Sequence, residues 1–209
     1  MVIIDNFVRD TDMLKKFNND KLELFGDTYQ DNNGSSDWLS VNSKPKTVKE
    51  KLVSYIIKKS GFLIKDGEEI EYWTHVHSPE SNIVVDGKNV IASKKLGWHT
   101  NKDEVSNKED KKLVHPIISF VYWPINDHFE GGYLEISSIK QSEINLDIFN
   151  SPDSILSFVS KFKNDYERIE AKYNRLVIFD SSYIHRVTEV TQGIRWTFTF
   201  DIWNKKWEL

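Results

Sequence analysis

The clearest alternation of apolar and polar positions lies between Arg175 and Trp203, where three short strands joined by tight turns are predicted. The last strand separates its side chains by parity, because successive strand residues point to opposite faces. One face carries polar residues, namely Arg195, Thr197, Thr199 and Asp201. The other face carries large apolar residues, namely Trp196, Phe198, Phe200 and Ile202. A surface strand usually exposes Lys or Glu, so the polar row indicates either a polar cavity or an exposed sheet face.

The rest of the chain predicts a helical start followed by about eight strands. One helix is expected after the capping pair Thr11-Asp12, and a second over Lys46 to Lys59, where apolar residues recur at helical spacing. From Ile70 onward, aromatic and β-branched runs alternate with turn residues, which is typical of a barrel or double-sheet jelly roll. We therefore predict one domain over residues 1–209, with 1–69 as mainly helical support and 70–209 as the β core.

Composition narrows the class of protein. Aromatic residues make up 13% of the chain, including 7 Trp, which favours a folded, β-rich body. The net charge of −4 gives no support to nucleic-acid or anionic-membrane binding. The absence of Cys excludes disulfides, zinc–thiolate sites and cysteine nucleophiles. With no signal-peptide pattern and no apolar run of membrane-spanning length, we expect a cytoplasmic protein; its oligomeric state is not predicted.

A set of residues distant in sequence could form a metal site. His99 is at a predicted strand end, and Asn101 projects from the same face two residues later, while His185 begins a later strand. Two imidazoles and one oxygen ligand on one side of an iron leave positions open for a co-substrate and for O2. Arg195 could then neutralise the far carboxylate of a 2-oxoacid that chelates the metal, and Thr197 could add a hydrogen bond.

The order His99-x-Asn101, Gly131-Gly132-x-Leu134, His185 and Arg195 resembles the 2-oxoglutarate- and Fe(II)-dependent oxygenase superfamily, and within it the prolyl-hydroxylase-like branch. The resemblance covers roughly Glu71 to Trp203. It implies a fold that is mainly β with N-terminal helices, a double-stranded β-helix or jelly-roll barrel. It also implies Fe(II), 2-oxoglutarate and O2, with ascorbate as an optional addition. The expected reaction is hydroxylation of an unactivated C–H bond, with release of succinate and CO2. The expected substrate is peptidyl and prolyl-like, or an amino acid or small molecule.

The sequence departs from the family at the position of the carboxylate ligand, which is Asn101 here. A neutral amide oxygen is a weaker ligand for Fe(II) than a carboxylate. Three interpretations stay open: Asn101 ligates through its oxygen, Asp103 fills the third position, or the chain is a non-catalytic binding module. The family pattern also suggests Tyr122, before the double glycine, as a contact for 2-oxoglutarate; a core tyrosine is the alternative.

A rival metal site lies earlier in the chain. His75 and His77 project from one face of a predicted strand, with Glu80 nearby, and cupin-type metal sites use a His-x-His pair with a Glu and a later His. The Glu is too close and the glycine-rich spacing is absent, so we regard this as the weaker hypothesis. The long segment Ser142 to Asp165 is either a lid over the substrate or an inert loop.

Overall fold

The computed structural model of the chain describes residues 1–25, 36–65, 68–101, 114–143 and 165–204. It contains two facing antiparallel sheets, with helices packed on the outer face of the larger one. The helices are α1 (Thr11–Asn19), α2 (Lys21–Phe25) and α3 (Val48–Ser60). The strands are β1 (Val2–Ile4), β2 (Asp37–Ser40), β3 (Glu69–His77), β4 (Asn82–Val85), β5 (Lys88–Ile91), β6 (Leu96–His99), β7 (Ile118–Tyr122), β8 (Phe129–Gly131), β9 (Leu134–Lys140), β10 (Tyr166–Ile169), β11 (Leu176–Phe179), β12 (Tyr183–Val187), β13 (Val190–Gly193) and β14 (Arg195–Trp203).

The major sheet has six strands in the order β1-β11-β7-β14-β3-β2, and all neighbours are antiparallel. The strand β14 is central to it. It pairs with β3 along its whole length, from Arg195 opposite His77 to Trp203 opposite Glu69. On its other edge it pairs with β7. Every residue of β14 is buried, because one face meets the helices and the other faces the second sheet.

The main hydrophobic core lies between the helices and the major sheet. The helix α3 begins with a capping box between Thr47 and Glu50 and ends at Gly61, whose φ of +74° is left-handed. Buried side chains from all three helices pack against the apolar face of β14. They include Phe17, Leu24, Phe25, Leu52, Val53 and Ile56 on the helices and Trp196, Phe198, Phe200 and Ile202 on the strand. The apolar face predicted for β14 is confirmed.

The minor sheet has four strands in the order β10-β9-β12-β6. A smaller apolar cluster joins it to the inner face of the major sheet, with members on β7, β9, β10 and β11. The space that this cluster leaves between the sheets is lined by polar residues of β3 and β14. The architecture is the predicted one: mainly β, with N-terminal helices against a double-stranded β-helix.

Several details differ from the sequence-based expectation. Residues 1–69 contribute three helices and also β1 and β2, which form the two edges of the major sheet. From Glu69 onward the described residues form twelve strands rather than about eight. The extra strands are short; β8 and β13, for example, end in glycines and form their own two-stranded sheet. The boundary at residue 69 stays a prediction, and most of the candidate lid, residues 144–164, lies outside the described ranges.

None of the helices in the described part of the chain is both long and apolar enough to cross a membrane.

Asn174 fastens the N-terminal segment to the major sheet. Its side chain accepts from the backbone N–H of Val8 and from the hydroxyl of Tyr122, and it donates to the carbonyl of Val8, each at 2.9 Å. The residue is 4% exposed and has a left-handed φ of +57°. Asn tolerates this conformation better than most residues do.

We predict that Asn174→Ala lowers the free energy of unfolding by about 2–4 kcal/mol, through lost hydrogen bonds and backbone strain. Asn174→Gly loses the same hydrogen bonds without the strain, so it should be about 1 kcal/mol less damaging. Urea unfolding of both variants measures the difference. Equal values would remove backbone strain from the explanation, and a loss under about 0.5 kcal/mol for Asn174→Ala would contradict the fastening role.

Candidate active site

Strand pairing brings two histidines together. His99 on β6 lies opposite His185 on β12 in antiparallel register, and their ring centroids are 4.2 Å apart. The Nδ1 of His99 is 2.8 Å from the carbonyl oxygen of Gly97, and the Nδ1 of His185 is 3.0 Å from that of Tyr183. A carbonyl oxygen only accepts, so each Nδ1 carries the proton and each neutral ring keeps its lone pair on Nε2. Both rings are therefore in the tautomer that ligates a metal through Nε2.

The surroundings also keep this pair uncharged. Burial lowers the pKa of His99, and burial together with the neighbouring His99 ring lowers the pKa of His185 well below its usual value. Metal ligation requires the neutral form of imidazole. The two histidines are thus ready to bind a metal at neutral pH without first losing a proton.

The histidine pair forms part of the wall of a cavity between the two sheets. Its apolar wall includes Val121, Leu134 and Phe179, and the ring of Phe179 packs edge-on against His185 with centroids 5.0 Å apart. Its polar wall comes from alternate residues of β3 and β14, namely His75, His77, Arg195, Thr197 and Thr199. The polar face that the sequence predicts for β14 therefore lines a cavity rather than an exposed surface.

Arg195 lies in this cavity with a guanidinium that is only partly hydrogen-bonded. The residue is 1% exposed, and its Nη1 donates to Oγ1 of Thr197 at 2.6 Å and to Nδ1 of His77 at 3.2 Å. Because Nδ1 of His77 accepts, the neutral ring carries its proton on Nε2. Among the described residues, nothing pairs with that Nε2 or with Nε and Nη2 of Arg195. Buried donors are almost always satisfied, so these three donor nitrogens fit an anionic ligand.

Burial without a carboxylate partner lowers the pKa of Arg195. Desolvation lowers the pKa of its guanidinium to about 9, which still leaves it positively charged at neutral pH. Gly132 makes room for the side chain: a Cβ there would lie 2.7 Å from Cδ of Arg195, and the backbone has a φ of +63°. The second glycine of the motif is therefore required because a larger residue at position 132 would clash with Arg195.

Asn101 lines the same cavity and is held from two sides. Its Nδ2 donates to Oγ of Ser119 at 3.1 Å and to Oδ1 of Asp201 at 3.2 Å. Its backbone carbonyl accepts from Nδ1 of His115 at 2.8 Å. Burial raises the pKa of Asp201 well above its usual value, although hydrogen bonds from Ser119 and Asn101 oppose this shift.

Of the two candidates for the third ligand, Asn101 lines the cavity. Asp103, the other candidate, lies outside the described residues. Within the ranges that the structure describes, no set of three His, Cys, Asp or Glu side chains is placed to hold a metal ion.

Tyr122 is the one described candidate that the structure does not bring to this cavity. It lies opposite Phe198, on the apolar face of the major sheet, and belongs to the core beneath the helices. Its hydroxyl donates to Oδ1 of Asn174. The neighbouring residue Val121 has the opposite parity and lines the cavity instead. The interpretation of Tyr122 as a core tyrosine is the correct one, and its assignment to 2-oxoglutarate is wrong.

The rival His-x-His pair lies in the same cavity as Arg195. His75 and His77 are the cross-strand partners of Thr197 and Arg195. The Nε2 of His75 accepts from Nε1 of Trp73 at 2.6 Å, and His77 contacts the guanidinium. Glu80 is exposed. The contact between His77 and Arg195 could not be found from the sequence, because only the β3–β14 register reveals it.

Three solved structures are among those that match the chain at low sequence identity. They are a prolyl-4-hydroxylase from Pseudomonas putida, the collagen prolyl hydroxylase vCPH from Paramecium Bursaria Chlorella virus-1, and iron-bound HygX from Streptomyces hygroscopicus. The Pseudomonas putida enzyme is 13% identical to this chain, with a TM-score of 0.47, and the alignment covers 96% of this chain and 82% of that one. The viral enzyme is 12% identical, with a TM-score of 0.43 and coverages of 96% and 93%. HygX is 11% identical, with a TM-score of 0.49 and coverages of 99% and 84%.

No curated protein sequence matches the chain significantly. Residues 87–203, more than half of the chain, match the family model described as the 2OG-Fe(II) oxygenase superfamily. The matched range includes both histidines of the pair, Asn101, the double glycine and Arg195. The chain belongs to the 2OG-Fe(II) oxygenase superfamily.

Proposed function

We propose that the protein is a 2-oxoglutarate-dependent Fe(II) dioxygenase that hydroxylates an unactivated C–H bond of its substrate. The observation that carries this proposal is a single cavity with two neutral imidazoles on one wall and a buried, incompletely hydrogen-bonded guanidinium on another. Membership of the 2OG-Fe(II) oxygenase superfamily supports the same conclusion.

The residues present fit the metal. His99 and His185 would hold Fe(II) through Nε2, because their Nδ1 atoms are occupied by backbone carbonyls. Asn101 would offer its amide oxygen, since its nitrogen is already hydrogen-bonded to Ser119 and Asp201. Two nitrogen ligands and one oxygen ligand leave room for a co-substrate.

The residues present also fit 2-oxoglutarate. Its distal carboxylate would take up the unpaired N–H groups of Arg195 and the Nε2–H of His77. Thr197 holds the guanidinium by accepting from Nη1, which supports the sequence-based prediction that this residue assists co-substrate binding. A guanidinium is suited to a carboxylate because two parallel N–H donors match its two oxygens.

When bound, Fe(II) would supply the oxidising chemistry, in which O2 converts 2-oxoglutarate to succinate and CO2 and one oxygen atom enters the substrate as a hydroxyl group. The protein itself would orient the reactants. Arg195 and His77 fix one end of the co-substrate, and the apolar side chains Val121, Leu134 and Phe179 limit the access of water. Removing water strengthens every electrostatic contact in the cavity.

We further propose a peptidyl, prolyl-like substrate, with an amino acid or small molecule as the alternative. The motif order, which resembles the prolyl-hydroxylase-like branch, supports this choice. A second function is a non-catalytic binding module, which the presence of Asn101 in place of a carboxylate favours. Succinate production from 2-oxoglutarate, with Fe(II) supplied, separates the two: an enzyme forms it, whereas a binding module takes up 2-oxoglutarate without converting it.

We expect His185→Ala to abolish binding of Mn(II) and, under anaerobic conditions, the visible charge-transfer band formed with Fe(II) and 2-oxoglutarate. The remaining imidazole cannot hold the metal with an amide alone. Isothermal titration and absorbance spectroscopy measure the two effects. The control is His128→Gln, because His128 is exposed and lies outside the cavity. An unchanged band in His185→Ala would contradict the proposed function.

Arg195→Lys should weaken 2-oxoglutarate binding to the Mn(II)-loaded protein by roughly 10- to 100-fold, because an ammonium cannot make the paired hydrogen bonds of a guanidinium. Arg168→Lys is a matched control, since Arg168 pairs with Glu135 and its side chain is 52% exposed. Titration calorimetry with 2-oxoglutarate gives both affinities. If the two substitutions had the same effect, Arg195 would not be the co-substrate anchor.

The cavity also predicts how stability depends on pH. Burial lowers the pKa of His75 from 6.5 to about 4, so the unfolded chain binds this proton more readily than the folded one. The free energy of unfolding should therefore fall as pH drops from about 6.5 towards 4, by up to about 1.4 kcal/mol per pH unit for this group.

His75→Gln removes this contribution, so the variant should lose less stability than the parent between about pH 7 and about pH 5. Urea unfolding at both pH values measures the loss. The exposed His128 again provides a control, and His128→Gln should keep the acid sensitivity of the parent. An equal loss in His75→Gln and the parent would show that His75 does not titrate in this way.

A further inference from the structure

Asp201 holds the amide of Asn101, and the role inferred for it below rests on the proposed function. Asp201 is on β14, six residues after Arg195, and its side chain is 0% exposed. Its Oδ1 accepts from the amide nitrogen of Asn101 at 3.2 Å. Among the described residues, nothing pairs with its other carboxylate oxygen, Oδ2. A buried carboxylate with one free oxygen is unusual in a protein core, which indicates a role other than packing.

The contacts of Asp201 determine which end of the Asn101 amide is held. The same amide nitrogen donates to Oγ of Ser119, which lies opposite Asp201 in the β7–β14 pairing and contacts Oγ of Ser181 at 2.8 Å. The Oδ1 atom of Asp201 accepts a hydrogen bond whether or not Oδ2 carries a proton, so it selects the nitrogen end of the amide. The oxygen is then the end of Asn101 that remains available to a ligand in the cavity.

We propose that Asp201 is the positioning residue of the metal site, and that Asn101 and Asp201 act together in place of a single carboxylate ligand. Asn101 supplies the ligating oxygen, and Asp201 fixes the amide so that the oxygen, and not the nitrogen, is presented. Hydrogen-bonded partners of metal ligands act in this way on imidazoles and carboxylates, and their loss typically weakens metal binding by about 10- to 100-fold.

A neighbouring acid does not share this arrangement. Glu71 is the cross-strand partner of Asp201 on β3, but its Oε2 accepts from Nε1 of Trp203 at 2.9 Å and its Oε1 accepts from Ser36. Unlike Asn101, it does not line the cavity. Glu71→Gln is therefore a matched control, which changes a carboxylate to an amide opposite Asp201 and keeps both members of the Asn101–Asp201 hydrogen bond.

The test is Mn(II) affinity, measured by titration calorimetry on the full chain, with the thermal stability of each metal-free variant measured separately. We expect Asp201→Asn to weaken Mn(II) binding by about 10- to 100-fold, because an amide at 201 no longer selects one orientation of Asn101. Asn101→Asp alone should bring no gain, because it sets two buried acids side by side. The exchange Asn101→Asp with Asp201→Asn keeps one acid and one amide in contact, so it should bind Mn(II) at least as tightly as the parent.

If Asp201→Asn folds poorly, Mn(II) affinity can still be compared between the parent and the double variant, because the double variant preserves the hydrogen bond and the net charge. Glu71→Gln should leave Mn(II) affinity within about 2-fold of the parent. Unchanged affinity in Asp201→Asn, or a gain in Asn101→Asp equal to that of the double exchange, would overturn the positioning role. The proposed function fails separately, if His185→Ala binds Mn(II) as tightly as the parent does.

Discussion

The site depends on one constraint: β14 is buried on both faces and must satisfy two different environments at once. Its even-numbered residues complete the core beneath the helices, and this packing fixes the strand in the sheet. Its odd-numbered residues are then forced to point between the two sheets. Arg195, Thr197 and Asp201 are thereby held at fixed spacing along one line, and the paired strands β3 and β7 add His77 and Ser119 beside them. Packing of the apolar face of β14 therefore fixes where its polar side chains lie in the cavity.

This arrangement has an energetic consequence. A buried guanidinium and a buried carboxylate, each with unpaired atoms, destabilise the protein without ligands, because desolvated polar groups are costly when they lack partners. Arg195 and Asp201 are not paired with each other in the structure, since Arg195 contacts Thr197 and His77 and Asp201 contacts Asn101. Ligands that bind only the folded state would recover this free energy as added stability. The lower stability of the ligand-free protein is explained if these buried polar groups serve ligand binding rather than packing.

The two faces of β14 and several residues of the site could be predicted from the sequence. The parity of β14 predicts both of its faces, and the order of His99, the double glycine, His185 and Arg195 predicts the family. The pairing partners could not be predicted in the same way, because strand register depends on contacts between distant segments. For this reason Tyr122 was assigned to the wrong side of the major sheet. Because the register was unknown, the contact between His77 and Arg195 and the contact between Asp201 and Asn101 could not be predicted either.

A crystal structure of the protein with Mn(II) and 2-oxoglutarate, in which anomalous scattering locates the metal, would show directly whether the cavity between the sheets binds both. We predict one metal ion bonded to Nε2 of His99 and Nε2 of His185, with the distal carboxylate of 2-oxoglutarate hydrogen-bonded to Arg195 and His77. A metal ion bound elsewhere, or a co-substrate carboxylate that does not contact Arg195, would contradict it.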